Sequence, residues 1–140
     1  MTCAAPTRSH PLQCLVVDDD PIVLETLVSL MRAAGFETIG AADGRQAMAR
    51  LRESQPDLLI SDIVMPEIEG IELILHVRER FPSMAILAIS GGSLKREGDL
   101  LRYASALGAD AVLAKPFRRG ELLDAIMRIL PAEKASRVIR

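Results

Sequence analysis

The stretch Leu58-Leu59-Ile60-Ser61-Asp62-Ile63-Val64-Met65-Pro66 reads as a buried strand that ends in a carboxylate and passes into a turn. Three other apolar stretches end in the same manner. Leu15-Val16-Val17 leads into Asp18-Asp19-Asp20, Ala85-Ile86-Leu87-Ala88-Ile89 into Ser90, and Val112-Leu113-Ala114 into Lys115-Pro116. In an open parallel sheet, ligand sites form beyond the carboxyl ends of the strands, where the strand order reverses. Acids, a hydroxyl and a lysine converging at that edge point to a site for a divalent cation and a phosphoryl group.

Strand and helix patterns alternate along the whole chain, which argues for an α/β fold of five βα units around a parallel sheet. Residues 13–18 form the first strand, and Pro21 starts a helix with Asp20 as its N-cap. Ile22, Leu24, Leu27, Val28, Leu30 and Met31 supply its inward stripe, and Gly35 ends it. Residues 36–41 are a second strand, and Asp43-Gly44 leads into a helix with Ala47, Met48 and Leu51 inward. After the third strand at 57–62, Pro66 and Gly70 shape the entry to a third helix, which packs through Ile71, Leu73, Ile74 and Val77 and breaks at Pro82. A strand at 84–89, a loop at 91–98 that is mobile by composition, and a helix at 99–107 ended by Gly108 follow. A strand at 111–114 and a helix at 118–130 complete the pattern.

The chain is organised as a flexible N-terminal tail at 1–11, one domain at 12–130 and a polar C-terminal tail at 131–140. No fused DNA-binding or catalytic output module is expected. With 49% hydrophobic and 26% charged residues over 140 positions, the composition suits one globular core. The net charge of −2 argues for neither nucleic acid nor membrane as an obligatory partner. Residues 1–90 are net acidic and residues 91–140 net basic, as expected if acids gather at a metal site and bases decorate exposed helices. Cys3 and Cys14 form no disulfide framework, the first residues lack the apolar core of a signal peptide, and no apolar run approaches membrane-spanning length. A soluble cytoplasmic protein is expected.

Three consecutive acids after an apolar strand raise one another's pKa unless a cation relieves them, and Mg²⁺ suits a few carboxylates plus phosphate oxygens. Helix capping explains Asp20 and leaves Asp18 and Asp19 without a task. Beside a cation, Asp62 can act as a nucleophile and carry a phosphoryl group as an acyl phosphate. Such transfer depends on positioning and charge stabilisation, which Lys115 supplies as a point charge and Ser90 as a hydroxyl donor. His10 and His76 have no spaced partners and read as a tail and a helix residue. Met65 reads as packing under the turn. Arg118-Arg119 with Lys95, Arg96 and Arg102 could form a basic output face.

Val16-Val17-Asp18-Asp19, Asp62-Ile63-Val64-Met65-Pro66, Ser90 and Lys115-Pro116-Phe117 together resemble the receiver domain of bacterial two-component response regulators, over residues 12–130. The resemblance implies a doubly wound, flavodoxin-like sheet of order 2-1-3-4-5. It implies that Asp62 accepts a phosphoryl group from a sensor histidine kinase or a histidine phosphotransfer protein. Mg²⁺ would be held by Asp18, Asp19, Asp62 and the backbone carbonyl of Val64. Ser90 would respond to the phosphoryl group, Lys115 would stabilise it, and Lys115-Pro116 would be a cis bond. The chain would be a single-domain phosphoacceptor switch rather than an enzyme. It would signal to a downstream protein through the surface of the fourth helix, fifth strand and last helix, without direct DNA or membrane contact; a homodimer stays open.

Three departures bear on mechanism. Val112 stands where many receivers carry Tyr or Phe, so the aromatic readout is in doubt. The 91–98 loop is longer than in the best-known members. Val64 and Gly92, two residues past Asp62 and Ser90, cannot position water, so slow dephosphorylation is expected; a phosphorylated lifetime of seconds with Mg²⁺ would count against it. Two other readings compete. Asp18 and Asp20 fit the opening motif of haloacid-dehalogenase-type phosphatases, as nucleophile and acid, although that leaves Asp62 and Met65-Pro66 without a role. The other is an interaction module of the same fold that works without phosphorylation. Flavin binding is poorly supported, since the loop after the first strand lacks a phosphate cradle.

Overall fold

Alternate residues of the central strands face opposite sides, and both sides are apolar. In β1 (Leu12–Val17), Cys14 and Val16 join one core while Leu15 and Val17 join another. β3 (Leu58–Asp62) splits Leu58 and Ile60 from Leu59, and β4 (Ala85–Gly91) splits Leu87 and Ile89 from Ile86 and Ala88. Strands of this kind need helices on both faces of their sheet. The computed structural model, which describes residues 10–63, 69–91, 102 and 106–140, has that form.

β2 (Phe36–Ala41) and β5 (Ala111–Lys115) complete a parallel sheet of order β2-β1-β3-β4-β5, the flavodoxin-like arrangement expected. One face is covered by α1 (Pro21–Ala33) and α4 (Arg119–Ile129), through Leu27, Met31, Leu122 and Ile126. The other is covered by α2 (Gly44–Glu53) and α3 (Glu69–Arg80), through Ala47, Leu51, Ile74 and Val77. The order reverses at β1, whose neighbours are β2 on one side and β3 on the other. The register sets Val17 beside Ser61 and Asp62 beside Ile89, so Asp18 and Asp62 leave the sheet at the same edge, by the reversal.

Local signals explain the element ends. Asp20 caps α1 by accepting from the backbone N–H groups of Ile22 at 2.9 Å and Val23 at 3.4 Å. Gly35 and Gly108 take positive φ angles of 99° and 85°, which only glycine adopts at little cost. Ile22 departs from the expected stripe and is 76% exposed. At about 100° per residue it lies roughly half a turn around the helix from buried Met31, so it cannot share that face. Of the expected helix at 99–107, Arg102, Ala106 and Leu107 are described and are helical. The rest of it, the loop beyond Gly91 and residues 1–9 of the N-terminal tail lie outside the described residues.

The segment 131–140 is docked rather than trailing as a polar tail. It forms α5 (Ala132–Ala135), and Ala135 and Val138 pack on the core beneath α1 and α4. Lys134 Nζ pairs with Asp57 Oδ1 at 2.7 Å, the Arg137 guanidinium donates to the His10 carbonyl at 2.7 Å, and the Ile139 N–H donates to the Ala34 carbonyl at 2.9 Å. Arg137 also pairs locally with Glu133 at 3.3 Å and Arg140 with Asp124 at 2.7 Å, whereas the contacts to Asp57, His10 and Ala34 exist only because the fold brings those distant segments beneath it.

Candidate functional site

The end of β1 is tied down before it reaches the site. The Asp18 N–H donates to the Ala41 carbonyl at 3.2 Å, which keeps β1 beside β2 to its last residue. Asp18 Oδ1 accepts from the Asp20 N–H at 2.9 Å, turning the chain into α1. Across the crevice, the Ile63 N–H donates to the Ile89 carbonyl at 2.9 Å and extends the β3–β4 pairing past Asp62. These backbone contacts place Asp18 and Asp62, both buried, against the exposed Asp19. Each of the three offers a carboxylate oxygen, and those oxygens lie within 4.8 Å of one another.

Lys115 enters from the end of β5, ahead of the cis bond to Pro116. Its Nζ is 3.1 Å from Asp18 Oδ2 and 3.2 Å from Asp62 Oδ2. Burial works against the ammonium, but hydrogen bonds and attraction from Asp18 and Asp62 outweigh it and hold Lys115 above its ordinary value. Ser90, at the end of β4, is 1% exposed, and its hydroxyl has no hydrogen-bond partner among the described residues. A buried hydroxyl in that state costs about 1–3 kcal/mol. The donor set fits the expected groups: clustered carboxylates suit a hard cation, and the ammonium and hydroxyl suit phosphoryl oxygens.

Asp18, Asp19, Asp62, Ser90 and Lys115 therefore stand at one edge of the sheet, while the Val64 carbonyl, Met65, Pro66 and Gly92 lie outside the described residues. Val112 pairs with Ala88 and packs on the core under α2 and α3. Burial, with Asp57 adding, pushes the Cys14 thiol far up, so it is an inert core residue. His10 is exposed and His76 is half-buried between α2 and α3. Arg102, Arg118 and Arg119 are exposed, whereas Lys95 and Arg96 lie outside the described residues. Asp20 Oδ1 is engaged as the α1 cap, the role that capping alone gives it, which weighs against the acid that the phosphatase reading requires.

Two features escaped sequence reasoning. A β-carbon at Gly70 would run into the carbonyl oxygens of Asp62 and Ile63, so Gly70 lets α3 start directly against the backbone of the site. A glycine in the first turn of a helix was the available signal. The second is an apolar groove of about 470 Å³ between α1 and the Lys115-Pro116-Phe117 turn, lined by Ile22, Val23 and Leu30. It adjoins the site through Lys115.

Comparison with known proteins agrees with this geometry. The family model for the response regulator receiver domain matches residues 14–127. Protein PilG of Pseudomonas aeruginosa is 29% identical over 130 residues, covering 89% of this chain and 92% of PilG. The response regulator MprA of Mycolicibacterium vanbaalenii is 36% identical over 121 residues, covering 86% of this chain and 50% of MprA. The chain spans about half the length of most of the curated relatives it matches. Among solved structures, the Vibrio cholerae chemotaxis protein CheY4 superposes with a TM-score of 0.75 at 31% identity, covering 85% of this chain and 98% of that one. The sheet order, the clustered acids and the match over residues 14–127 agree, and the chain belongs to the response regulator receiver domain family.

Proposed function

We propose that this receiver is a phosphorylation switch in which Asp62 takes a phosphoryl group from the phosphohistidine of a sensor histidine kinase or histidine phosphotransfer protein. An Asp62 carboxylate oxygen bonds to phosphorus as the P–N bond to the donor imidazole breaks, and the electron pair leaves with the nitrogen. Asp18, Asp19, Asp62 and the Val64 carbonyl would hold Mg²⁺, which supplies charge stabilisation to the phosphoryl oxygens when bound. Lys115 provides a fixed positive charge to one of those oxygens, and the Ser90 hydroxyl donates to another. The exposed Ile22 and the groove beside Lys115 offer the donor protein an apolar ledge next to the acceptor. The chain catalyses only its own phosphorylation and dephosphorylation.

The observation that carries this reading is one ammonium reaching two buried carboxylates, with a buried hydroxyl on the neighbouring strand that has no partner among the described residues. A phosphoryl group on Asp62 would give Ser90 a partner and draw in the end of β4. The surface of β5, α4 and the expected 99–107 helix would then change and be read by a protein target, a local charge event biasing a two-state element. With Val112 in β5, the readout passes through the loop after Gly91 rather than an aromatic rotamer. A cytoplasmic setting and a protein target suit that reading.

Intact-mass spectrometry after incubation with acetyl phosphate and Mg²⁺ tests the proposal. Wild type gains one phosphoryl group and Asp62→Asn gains none. No gain by wild type, with turnover of phosphate esters, would put the phosphatase reading in its place.

A further inference from the structure

α2 and α3 lie side by side on one face of the sheet without closing the space between them. Two hollows there, of about 380 and 260 Å³, adjoin at Met48 and His76, which line both, and together mark a groove along the helix pair. Its floor is apolar, with Leu51 and Leu73 buried and Met48 and Phe81 half-buried. Its rim carries the exposed Arg45, Arg52 and Arg80.

The rim arginines are unlike their neighbours on the same helices. Arg50 of α2 pairs with Glu53, and Arg78 of α3 is spent on Asp110 and the carbonyls of Gly108 and Pro82. Arg45, Arg52 and Arg80 make no ion pair or hydrogen bond among the described residues; Arg80 instead lies over the Phe81 ring, 5.9 Å from its centroid. Among the described residues that line the groove, Glu72 is the acid, so there the cations outnumber the acids although residues 1–90 are net acidic. The rim is a local excess of positive charge around an apolar trough.

The groove also has a period. From one hollow to the next the lining advances from Gly44 and Met48 to Met48 and Arg52 on α2 and from Glu72 and His76 to His76 and Arg80 on α3, one helical turn, on the order of 6 Å. That is the spacing of side chains four residues apart on a helix laid along the groove. We propose that the α2–α3 groove docks an acidic amphipathic helix of a partner protein. Two apolar side chains of that helix enter the hollows, and its flanking carboxylates meet Arg45, Arg52 and Arg80. Charge complementarity selects this occupant, and the docking asks nothing of Asp62.

The test uses the full unphosphorylated chain and a synthetic helical peptide with two leucines four residues apart, flanked by glutamates. Backbone NMR shifts should cluster at Met48, Arg52, His76 and Arg80, and affinity by fluorescence anisotropy should fall as salt rises. Reversing charge with Arg52→Glu and Arg80→Glu should weaken binding about tenfold or more, with circular dichroism unchanged. Shifts centred elsewhere, equal binding of a peptide with lysines for the glutamates, or no effect of charge reversal would overturn the proposal. So would tighter binding of a duplex oligonucleotide at the same residues, or self-association of the chain that the reversed charges abolish.

Discussion

The Lys115 ammonium lies 3.1 Å from Asp18 Oδ2 and joins the last strand of the sheet to the first across 97 positions of sequence. Its second contact, with Asp62, makes it the shared counter-charge of two buried carboxylates. Because folding raises Lys115 above its unfolded value of 10.5, this stabilisation is complete below that value and is lost as pH rises through the higher folded value. Urea unfolding of wild type against Lys115→Met should show a constant gap from neutral to mildly alkaline pH that closes only in strong alkali. A gap already closing just above neutral would contradict this assignment.

Lys115→Met should also become dependent on Mg²⁺. Removing one partner of a buried ion pair leaves its charge uncompensated, at about 3–5 kcal/mol. Thermal unfolding in EDTA should show a large loss, and millimolar Mg²⁺ should recover part of it by binding the folded state alone. An equal loss with and without Mg²⁺ would mean that Asp18, Asp19 and Asp62 do not hold the cation.

Ser90→Ala should separate stability from signalling. The hydroxyl is buried without a partner among the described residues, so its removal should leave stability within about 1 kcal/mol of wild type or raise it. The variant should still accept a phosphoryl group on Asp62, yet the NMR shifts that follow phosphorylation at β5 and α4 should shrink. A loss above about 2 kcal/mol in urea unfolding would show that the hydroxyl bonds to the protein.

Gly70→Ala should be costly although alanine is the better helix former. The added β-carbon meets the Asp62 and Ile63 carbonyl oxygens, so either α3 or the end of β3 has to move. A destabilisation of about 1–3 kcal/mol is expected, with slower phosphorylation by acetyl phosphate. Wild-type stability and rate together would show that α3 shifts freely there.

Ending the chain at Leu130 should destabilise the fold by about 2 kcal/mol, combining lost apolar burial with a partly exposed ion pair. Lys134 and Asp57, the Ile139–Ala34 hydrogen bond and Val138 on the core would all be lost. Urea unfolding measures this, and Lys134→Met should reproduce only a fraction, since it removes the ion pair and leaves the Gln13 N–H bond to Asp57 in place.

Elements and site residues were legible because their signals are local. Asp20 before Pro21 marks a cap, Gly35 and Gly108 mark positive φ, and alternating apolar residues mark strands whatever packs against them. Asp18, Asp62, Ser90 and Lys115 could be singled out because each follows such a strand, and a parallel sheet brings those ends together. The strand order came from family likeness: β1, β3 and β4 each have two apolar faces, so their local pattern accepts several neighbours.

What only the tertiary structure decided is which distant groups meet. The sequence by itself determined that an acid ends β3 and a lysine ends β5; the fold decided that one ammonium serves Asp18 and Asp62 together. The fold likewise decided that Ser90 is buried without a partner among the described residues, that Gly70 abuts the Asp62 carbonyl, and that Lys134 reaches Asp57. The physical reason is range. Periodicity and capping act within a turn or a strand, whereas pairing, steric contact and burial depend on neighbours that only the assembled sheet and its helices bring within a few ångströms.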